Sequence, residues 1–183
     1  MSSSHRRRLA SQGDAGGIHA IYAPVVRDTV TSFEYEVPTV EEMARRIREG
    51  MEQYPWLVAV DPEDEQKVLG YAYACAWRAR TAYQWSCEVS VYVHAEHHRK
   101  GIATALYTDL LARLKKQGYV LVVAGATLPN DPSVAFHKAF GFEAVGVFPG
   151  CGFKAGGWHD VGFWKLELGE RCASPTPPTS FLP

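Results

Sequence analysis

The sequence predicts an α+β fold, with helices and strands mixed around one largely antiparallel sheet. Helical periodicity appears between residues 14 and 54 and again between 102 and 140, while strand patterns fill the middle and the end of the chain. At 183 residues, with 46% apolar side chains, the chain suits one domain with one sizeable core. We assign residues 1–168 to that domain and expect the proline-rich residues 169–183 to form a disordered tail.

The first third of the chain is predicted to form a strand and two helices. Residues 6–10 suit a short strand, and a turn at residues 11–14 leads into a helix that we expect Pro24 to end. A second helix is expected to begin after Thr39, a predicted N-cap, with Glu42 completing a capping box. Apolar side chains then recur along it at helical spacing.

The middle of the chain is rich in strand patterns. Residues 56–60 and 67–77 are apolar runs separated by a polar turn, which predicts a hairpin. Residues 84–93 alternate, with Glu88 on the polar face of an otherwise apolar strand. Residues 120–126 form a nearly unbroken apolar run, as expected of a strand buried on both faces.

The remaining segments complete the sheet and its cover. Residues 102–117 carry a stripe of leucines at helical spacing and are followed by Gly118, a natural helix terminator. Residues 131–140 fit a shorter helix. Two more strands, at residues 144–148 and 159–168, are expected to surround a glycine-rich turn.

Composition excludes several classes of protein. A net charge of −1 gives no global positive field for nucleic acid or an anionic membrane, and no apolar stretch approaches the roughly 18 residues of a spanning helix. The arginines at residues 6–8 precede no apolar run, unlike a signal peptide. The four cysteines lack metal or disulfide spacing, which indicates reduced thiols in a cytoplasmic protein. His94, His97 and His98 do not form a recognisable ligand pattern, so we predict no metal.

The most informative segment runs from residue 91 to residue 106, where a strand gives way to a basic loop and Gly101 opens a helix. Amide groups at a helix start have no partner within the helix and lie at the positive end of its dipole. Gly101 and Ala103 let an anion approach that backbone, and Arg99 and Lys100 add positive charge. The loop suits a pyrophosphate, although an ordinary helix start explains the same pattern equally well.

The order His98-Arg99-Lys100-Gly101-Ile102-Ala103 resembles motif A of the GNAT acetyltransferases, Gln/Arg-x-x-Gly-x-Gly/Ala, which cradles the pyrophosphate of acetyl-CoA. The departure is His98, which can still donate a hydrogen bond. The resemblance implies a GNAT fold: a central, mostly antiparallel mixed sheet with flanking helices, splayed at the cofactor site. It also implies acetyl-CoA as cosubstrate, without a metal. The implied cofactor-binding residues are Val91, Tyr92, Val93, Arg99, Lys100, Gly101, Ile102, Ala103, Thr104, Asn130 and Ser133.

Three other segments resemble the phosphinothricin acetyltransferases almost letter for letter. They are residues 54–59, 128–133 and, most specifically, the nonapeptide at residues 156–164. Glu88 followed by Tyr92 and Val93 resembles the same family, and the whole match extends from about residue 9 to residue 168. Relatives include enzymes acting on methionine sulfone and methionine sulfoximine. The resemblance implies acetyl transfer to the α-amino group of a small amino-acid-like substrate, in a homodimer.

Two residues are candidates for proton transfer. An amine must lose a proton before it attacks a thioester, and the resemblance places Glu88 at the proposed base of the family. His137 stands where the family usually has a tyrosine facing the thiol, and it is a candidate for protonating the thiolate or for removing the amine proton. The plainer alternatives are a solvent-facing sheet residue for Glu88, a helix-surface residue for His137, and a helix cap for Asn130.

Substrate selection is expected to involve residues 77–83. Alternate spacing places Arg78 and Arg80 on one side of an extended segment, where their guanidinium groups suit a carboxylate and a phosphinate or sulfone oxygen. Two solvated loop arginines are the alternative. By resemblance, the remaining substrate-binding residues are Phe33, Tyr83, Tyr92 and Val161.

The sequence leaves two alternatives to this function. Another amine as substrate, such as a polyamine, an antibiotic or a protein N-terminus, is the first alternative, and the basic Arg78 and Arg80 weigh against a polyamine. A non-catalytic acyl-CoA sensor is the second, and the presence of both Glu88 and His137 weighs against it. Basic residues form no stripe interleaved with exposed aromatics, so we predict no nucleic-acid partner.

Overall fold

Seven strands form one mixed sheet within residues 5–181, the part of the chain that this computed structural model describes. Their order is β1–β2–β3–β4–β5–β7–β6, and neighbours are antiparallel except β4 and β5, which run parallel. The strands are β1 Arg6–Leu9, β2 Trp56–Val60, β3 Val68–Ala76, β4 Ser86–Val93, β5 Leu121–Leu128, β6 Glu143–Lys154 and β7 Gly157–Glu167.

Helices cover both faces of this sheet, as predicted. The described α-helices are α1 Ala15–Asp28, α2 Val40–Gly50, α3 Ile102–Gln117 and α4 Asp131–Ala139. Alternation along β2 separates two cores: Val58 packs with the apolar side chains of α1 and α2, and Leu57 packs with those of α3. No described helix is both long and apolar enough to cross a membrane.

Two predictions about the first helices need correction. Pro24 lies inside α1, which continues to Asp28, because the burial of Val26 in the core offsets the hydrogen bond that the proline removes. Thr39 does cap α2, since its hydroxyl accepts from the amide of Glu42. The carboxylate of Glu42, however, accepts from Arg45 and Arg46 instead of reaching back to the cap.

The end of the sheet also differs from the prediction. The glycine-rich segment that we expected to be a turn belongs to β6, which pairs with β7 over most of its length. A bulge between Phe148 and Gly152 absorbs Pro149. The actual turn is the pair Ala155 and Gly156, with φ of 50° and 80°, as two-residue hairpin turns require.

The segment after Gly169, which we expected to be disordered, lies along the domain as far as the structure describes it. Residues 170–181 contain neither helix nor strand. Their main-chain carbonyls instead accept from side chains of the domain: Trp85 Nε1 donates to Thr176 at 2.8 Å, and Gln117 Nε2 donates to Thr179 at 2.9 Å. Prolines limit regular structure in this segment without preventing such contacts.

Candidate active site

The sheet opens between its two parallel strands. Pairing of β4 with β5 covers only residues 86–88 and 121–123 within the described chain, although both strands continue for five further residues. Beyond Glu88 the edge of β4 therefore faces a groove, of about 580 Å³, with free main-chain groups. This is the splay that the resemblance implied.

The predicted cofactor residues meet at this groove. All of them except Lys100 line it, together with further residues that the sequence did not single out, notably Thr31, Gly125 and Phe136. Lys100 lies beside the groove with its ammonium 3.2 Å from Nδ1 of His97. Among the predicted substrate residues only Tyr92 belongs to the wall of the groove, and the others lie outside it.

The basic loop has an unusual backbone conformation at two residues that line the groove. Arg99 and Gly101 both have left-handed backbones, with φ of 61° and 77°. A Cβ on Gly101 would meet no described atom within 4 Å, so the space above this backbone is open. Since α3 begins at Ile102, its first amides have no partner inside the helix and lie at the positive end of a 16-residue dipole. The unpaired amides of α3 and the open space at Gly101 both suit an anion.

His98, the departure from the motif, has a definite contact. Its Nε2 lies 3.0 Å from the main-chain oxygen of Val93, the last residue of β4. Since a carbonyl only accepts, Nε2 carries the proton and donates. The imidazole therefore ties the loop to the end of the strand.

Asn130 caps a helix, which is the plainer of the two roles predicted for it. It is the N-cap of α4, and its Oδ1 accepts from the amide of Ser133 at 3.2 Å. Both residues also line the groove. The cap leaves the amide nitrogen of Asn130 as a donor.

Glu88 is the last residue of β4 that pairs with β5, and its side chain is half-buried. Burial raises the pKa of its carboxyl, and the positive charge of Arg78 opposes this shift. Gly125, on the wall of the groove, is its neighbour: a Cβ there would lie 3.5 Å from Oε1 of Glu88. A carboxylate with a raised pKa beside an open groove suits a general base.

His137 is buried, not on the helix surface, and both ring nitrogens are engaged. Nδ1 lies 2.8 Å from the main-chain oxygen of Ser133, so it carries the proton, and Nε2 accepts from the hydroxyl of Tyr107 at 3.0 Å. Burial lowers the pKa of the imidazole, although the bond to Ser133 favours the charged form. The ring is therefore neutral near pH 7 and still reaches the groove.

Tyr107 and Trp164 support this imidazole, and sequence reasoning missed both. Tyr107 is fully buried, and burial raises the pKa of its phenol above the usual range. Trp164 stacks on His137 with centroids 6.2 Å apart. In sequence, Tyr107 follows Leu106 and resembles any core residue. The only available signal for Trp164 was its place in the nonapeptide.

The nonapeptide, residues 156–164, is explained by its contacts. Asp160 accepts from the amide of Gly150 at 2.8 Å and so fixes the bulge of β6. His159 Nε2 donates to the main-chain oxygen of Lys154 at 2.9 Å, which closes the end of the hairpin. Each of these polar residues therefore holds the β6–β7 hairpin in shape.

The two arginines are not arranged as we predicted. β3 ends at Ala76, and the chain bends before a short 3-10 turn at Thr81–Tyr83, so Arg78 and Arg80 do not lie on a regular extended segment. The guanidinium of Arg78 stacks over the ring of Trp77 at 3.9 Å. Both arginines and Tyr83 are exposed, which leaves them available to a ligand.

The three other predicted substrate residues come from different elements. Phe33 lies in the loop between α1 and α2, with its ring 6.3 Å from that of His159. Tyr92 stacks on Tyr71 at 5.3 Å, and Val161 is half-buried on β7, paired with Phe148. Their placement as a substrate wall stays a prediction.

The structure brings together three potential metal ligands that the sequence did not group. His94, Glu96 and His97 bring potential ligand atoms within 4.8 Å of one another, which sequence spacing did not indicate. The neighbouring ammonium of Lys100 contacts His97, and burial together with Lys100 and Lys67 lowers the pKa of that imidazole. The same positive charges oppose a divalent cation.

Comparison with known families agrees with this geometry. Residues 8–162 match the family model described as an acetyltransferase (GNAT) domain. The chain is 42% identical over 170 residues to a phosphinothricin N-acetyltransferase of Streptomyces viridochromogenes, covering 93% of this chain and 91% of the relative. It is 36% identical over 172 residues to an L-methionine sulfoximine/L-methionine sulfone acetyltransferase of Pseudomonas aeruginosa, covering 92% and 97%.

A solved structure has the same fold. The GNAT superfamily phosphinothricin acetyltransferase of Sinorhizobium meliloti, crystallised in complex with acetyl-CoA, superposes with a TM-score of 0.87 at 37% identity. The superposition covers 96% of this chain and 94% of that one. The predicted fold and cosubstrate are thereby confirmed.

Proposed function

The chain belongs to the GNAT acetyltransferase family, and from this premise we propose that it acetylates the α-amino group of a small amino-acid-like substrate of the phosphinothricin, methionine sulfoximine or methionine sulfone type. The reaction itself, transfer of an acetyl group from acetyl-CoA to an amine, follows from the family. The observation that supports the proposal is the opening of the sheet at Glu88, whose carboxylate lies next to Gly125 on the wall of the groove.

The groove fits acetyl-CoA. The open space above Gly101 and the unpaired amides of residues 102–104 suit the pyrophosphate. The edge of β4 at Val91 and Val93, where only the oxygen of Val93 is engaged by His98 among the described contacts, suits the pantetheine arm as an added strand. When bound, the cosubstrate supplies an activated thioester carbonyl. The contacts of each residue with it are part of the proposal.

We assign the removal of the amine proton to Glu88. A free amino group is mostly protonated near pH 7 and cannot attack in that form. The partly buried carboxylate, its pKa raised by desolvation, is closer in proton affinity to the amine than an exposed glutamate is. Gly125 supports this role because it lines the groove and leaves space beside the carboxylate: a Cβ there would lie 3.5 Å from Oε1.

We assign His137 to the departing sulfur as a hydrogen-bonding group. Its neutral ring cannot give up the Nδ1 proton without becoming an imidazolate, so the proton that neutralises the thiolate is the one that Glu88 takes from the amine. The ring of His137 reaches the groove beside Ser133, whose hydroxyl lies 3.4 Å from Nδ1. Tyr107 is a positioning residue in this scheme: its hydroxyl donates to Nε2 and fixes the tautomer in which Nδ1 bears the proton. The buried Tyr107 has no access of its own to the groove.

The substrate carboxylate and its oxygen-bearing side chain are assigned to Arg78 and Arg80, with Tyr83 beside them. Exposure and charge support this assignment, as do the substrates after which the two relatives are named. Phe33, Tyr92 and Val161 complete the proposed pocket. A polycation would be repelled by the same arginines.

We further propose a homodimer in the cytoplasm. The edge strand β6 is exposed on both faces, and it carries Val145, Val147 and Phe148 with 50–62% of their surface accessible, while Trp158 on β7 is 70% exposed. Apolar surface on an edge strand fits a partner subunit. The four cysteines are free thiols, which supports a reducing compartment.

The test is a thiol-release assay with acetyl-CoA and a panel of amines: phosphinothricin, methionine sulfoximine, methionine sulfone, spermidine and a peptide beginning with serine. We expect the first three to be acetylated far better than the others. Preference for spermidine or the peptide would overturn the substrate assignment, and acetyl-CoA binding without turnover of any amine would favour a sensor.

A further inference from the structure

Lys154, the last residue of β6, is a buried lysine that none of the roles above uses. Only 7% of its surface is exposed. Its ammonium donates to two main-chain carbonyls, those of Val26 and Ser32, at 2.6 Å each. Burying a charged ammonium is costly, so the contacts that retain it are expected to matter.

The two acceptors belong to the end of α1 and to the loop that follows it. Val26 lies in the last turn of α1, where main-chain carbonyls have no partner inside the helix and carry the negative end of its dipole. Ser32 lies in the loop at residues 29–39, which has no regular structure of its own. A single ammonium therefore joins the tip of the β6–β7 hairpin to both segments.

This loop approaches both halves of the active site. Thr31 lines the groove proposed for acetyl-CoA, and Phe33 is a proposed wall of the substrate pocket. The ring of Phe33 lies against Gly152 on β6: a Cβ on that glycine would be 2.1 Å from Phe33 Cε2. Ser32, the residue that Lys154 holds, stands between them.

A second contact ties the same loop residue to the wall of the groove. The hydroxyl of Ser32 lies 2.8 Å from that of Tyr22, whose ring packs edge-on against Tyr92 at 5.3 Å. Ser32 is thus held by Lys154 through its carbonyl and by Tyr22 through its side chain. A shift of Ser32 would therefore change the positions of both Phe33 and Tyr92.

We propose that Lys154 is a positioning residue that fixes the α1–α2 loop against the β6–β7 hairpin and thereby sets the binding of the amino acceptor. The assignment rests on the proposed function, since it requires Phe33 to contact the acceptor. It predicts that loss of the ammonium loosens the loop and weakens acceptor binding, while acetyl-CoA retains the amides of α3.

Lys154→Met removes the charge and keeps most of the stem. We expect KM for the acceptor to rise about 10-fold or more, since misplacing a binding wall by an ångström has effects of this size, with KM for acetyl-CoA changed less than about 3-fold. Lys154→Arg retains a charged donor and should recover part of the loss. The matched control is Lys165→Met on β7, a half-buried lysine whose ion pairs among the described residues are with Glu143 and Glu167.

Gly152→Ala disturbs the same contact from the other side and covers the case in which Lys154→Met does not fold. Its Cβ would displace Phe33, so it should reproduce the rise in acceptor KM. Gly146→Ala is its control on the same strand, because a Cβ there meets no described atom within 4 Å.

Limited proteolysis gives a readout that does not depend on the substrate. Chymotrypsin cleaves after aromatic residues, and Phe33 and Tyr35 both lie in the loop. We expect Lys154→Met to be cut there about 10-fold faster than wild type and than Lys165→Met, because a freed loop opens more often. Equal cleavage of the three proteins would show that Lys154 does not fix the loop, whichever amine the enzyme acetylates. Faster cleavage with unchanged acceptor KM would overturn the role in substrate binding. A wild type inactive on the amine panel would count against the proposed function alone.

Discussion

Glu88 and Gly125 face one another where β4 and β5 part, and a Cβ on residue 125 would lie 3.5 Å from the carboxylate oxygen. A second contact at the same point, 3.1 Å to the ring of Phe163, leaves little freedom for a side chain there. Strand pairing ends at Glu88, and Gly125 keeps the space beside the carboxylate open at the wall of the groove. Backbone topology therefore determines where a proton acceptor can act.

The first prediction concerns Glu88 as the base. Glu88→Gln keeps the size of the side chain but cannot accept a proton, so we expect a loss of roughly 10²-fold or more in kcat. The loss should shrink as pH rises, because the substrate amine then deprotonates without help. Since burial raises the pKa of Glu88, the wild-type kcat/KM profile should show an acidic limb above the ordinary glutamate value of 4.5. In the variant that limb should be replaced by a rise at the higher pKa of the substrate amine.

A ratio of variant to wild-type rates that does not change between pH 6 and pH 10 would remove Glu88 from this role. The control is acetyl-CoA affinity, measured by calorimetry, which should be the same for both proteins.

The second prediction concerns the basic loop. Gly101→Val forces a branched residue into a left-handed backbone, which costs about 1–2 kcal/mol, and directs its side chain into the groove. We expect KM for acetyl-CoA to rise about 10-fold or more, with a near-native melting temperature. Gly146→Ala serves again as the control. Unchanged cofactor affinity would count against the pyrophosphate assignment.

Local patterns predicted much of this molecule correctly. The alternation that set Glu88 apart and the leucine stripe of α3 depend on neighbouring residues, and a short window of sequence contains them. The residues that sequence reasoning missed depend on distant contacts. Tyr107 and His137 are 30 positions apart and meet only because α3 and α4 pack together.

The predictions that the structure corrects failed for the same reason, because contacts between residues distant in sequence determine the outcome. Pro24 remains helical because of what Val26 buries, and the glycines of β6 are strand residues because β7 lies beside them. Lys154 resembles a surface lysine in sequence, and its burial follows from the position of α1, more than 120 residues earlier. Tertiary contacts overrode local propensity at each of these positions.

The third prediction concerns Tyr107 as the residue that fixes the tautomer of His137. Tyr107→Phe removes the donor to Nε2 and leaves the packing of the ring nearly unchanged. We expect kcat to fall about 10-fold, less than the roughly 10²-fold or more expected of a proton-transfer group, with KM for both substrates nearly constant. His137→Gln should cost more, and the double variant no more than His137→Gln alone, because Tyr107 acts through His137. Additive losses in that cycle would contradict the linkage.

The last prediction concerns substrate selection by Arg80. This residue is exposed in the structure, and unlike Arg78 it has no aromatic contact among the described residues. Arg80→Met removes the charge and keeps much of the bulk. If Arg80 binds an anionic or polar oxygen of the acceptor, kcat/KM for phosphinothricin, methionine sulfoximine and methionine sulfone should fall. The fall should correspond to about 2–4 kcal/mol of lost transition-state stabilisation, with acetyl-CoA binding unchanged. Arg80→Lys should recover only part, because an ammonium lacks the two-pronged geometry. Equal activity of wild type and Arg80→Met across the amine panel would show that neither the charge nor the fork of Arg80 selects the substrate.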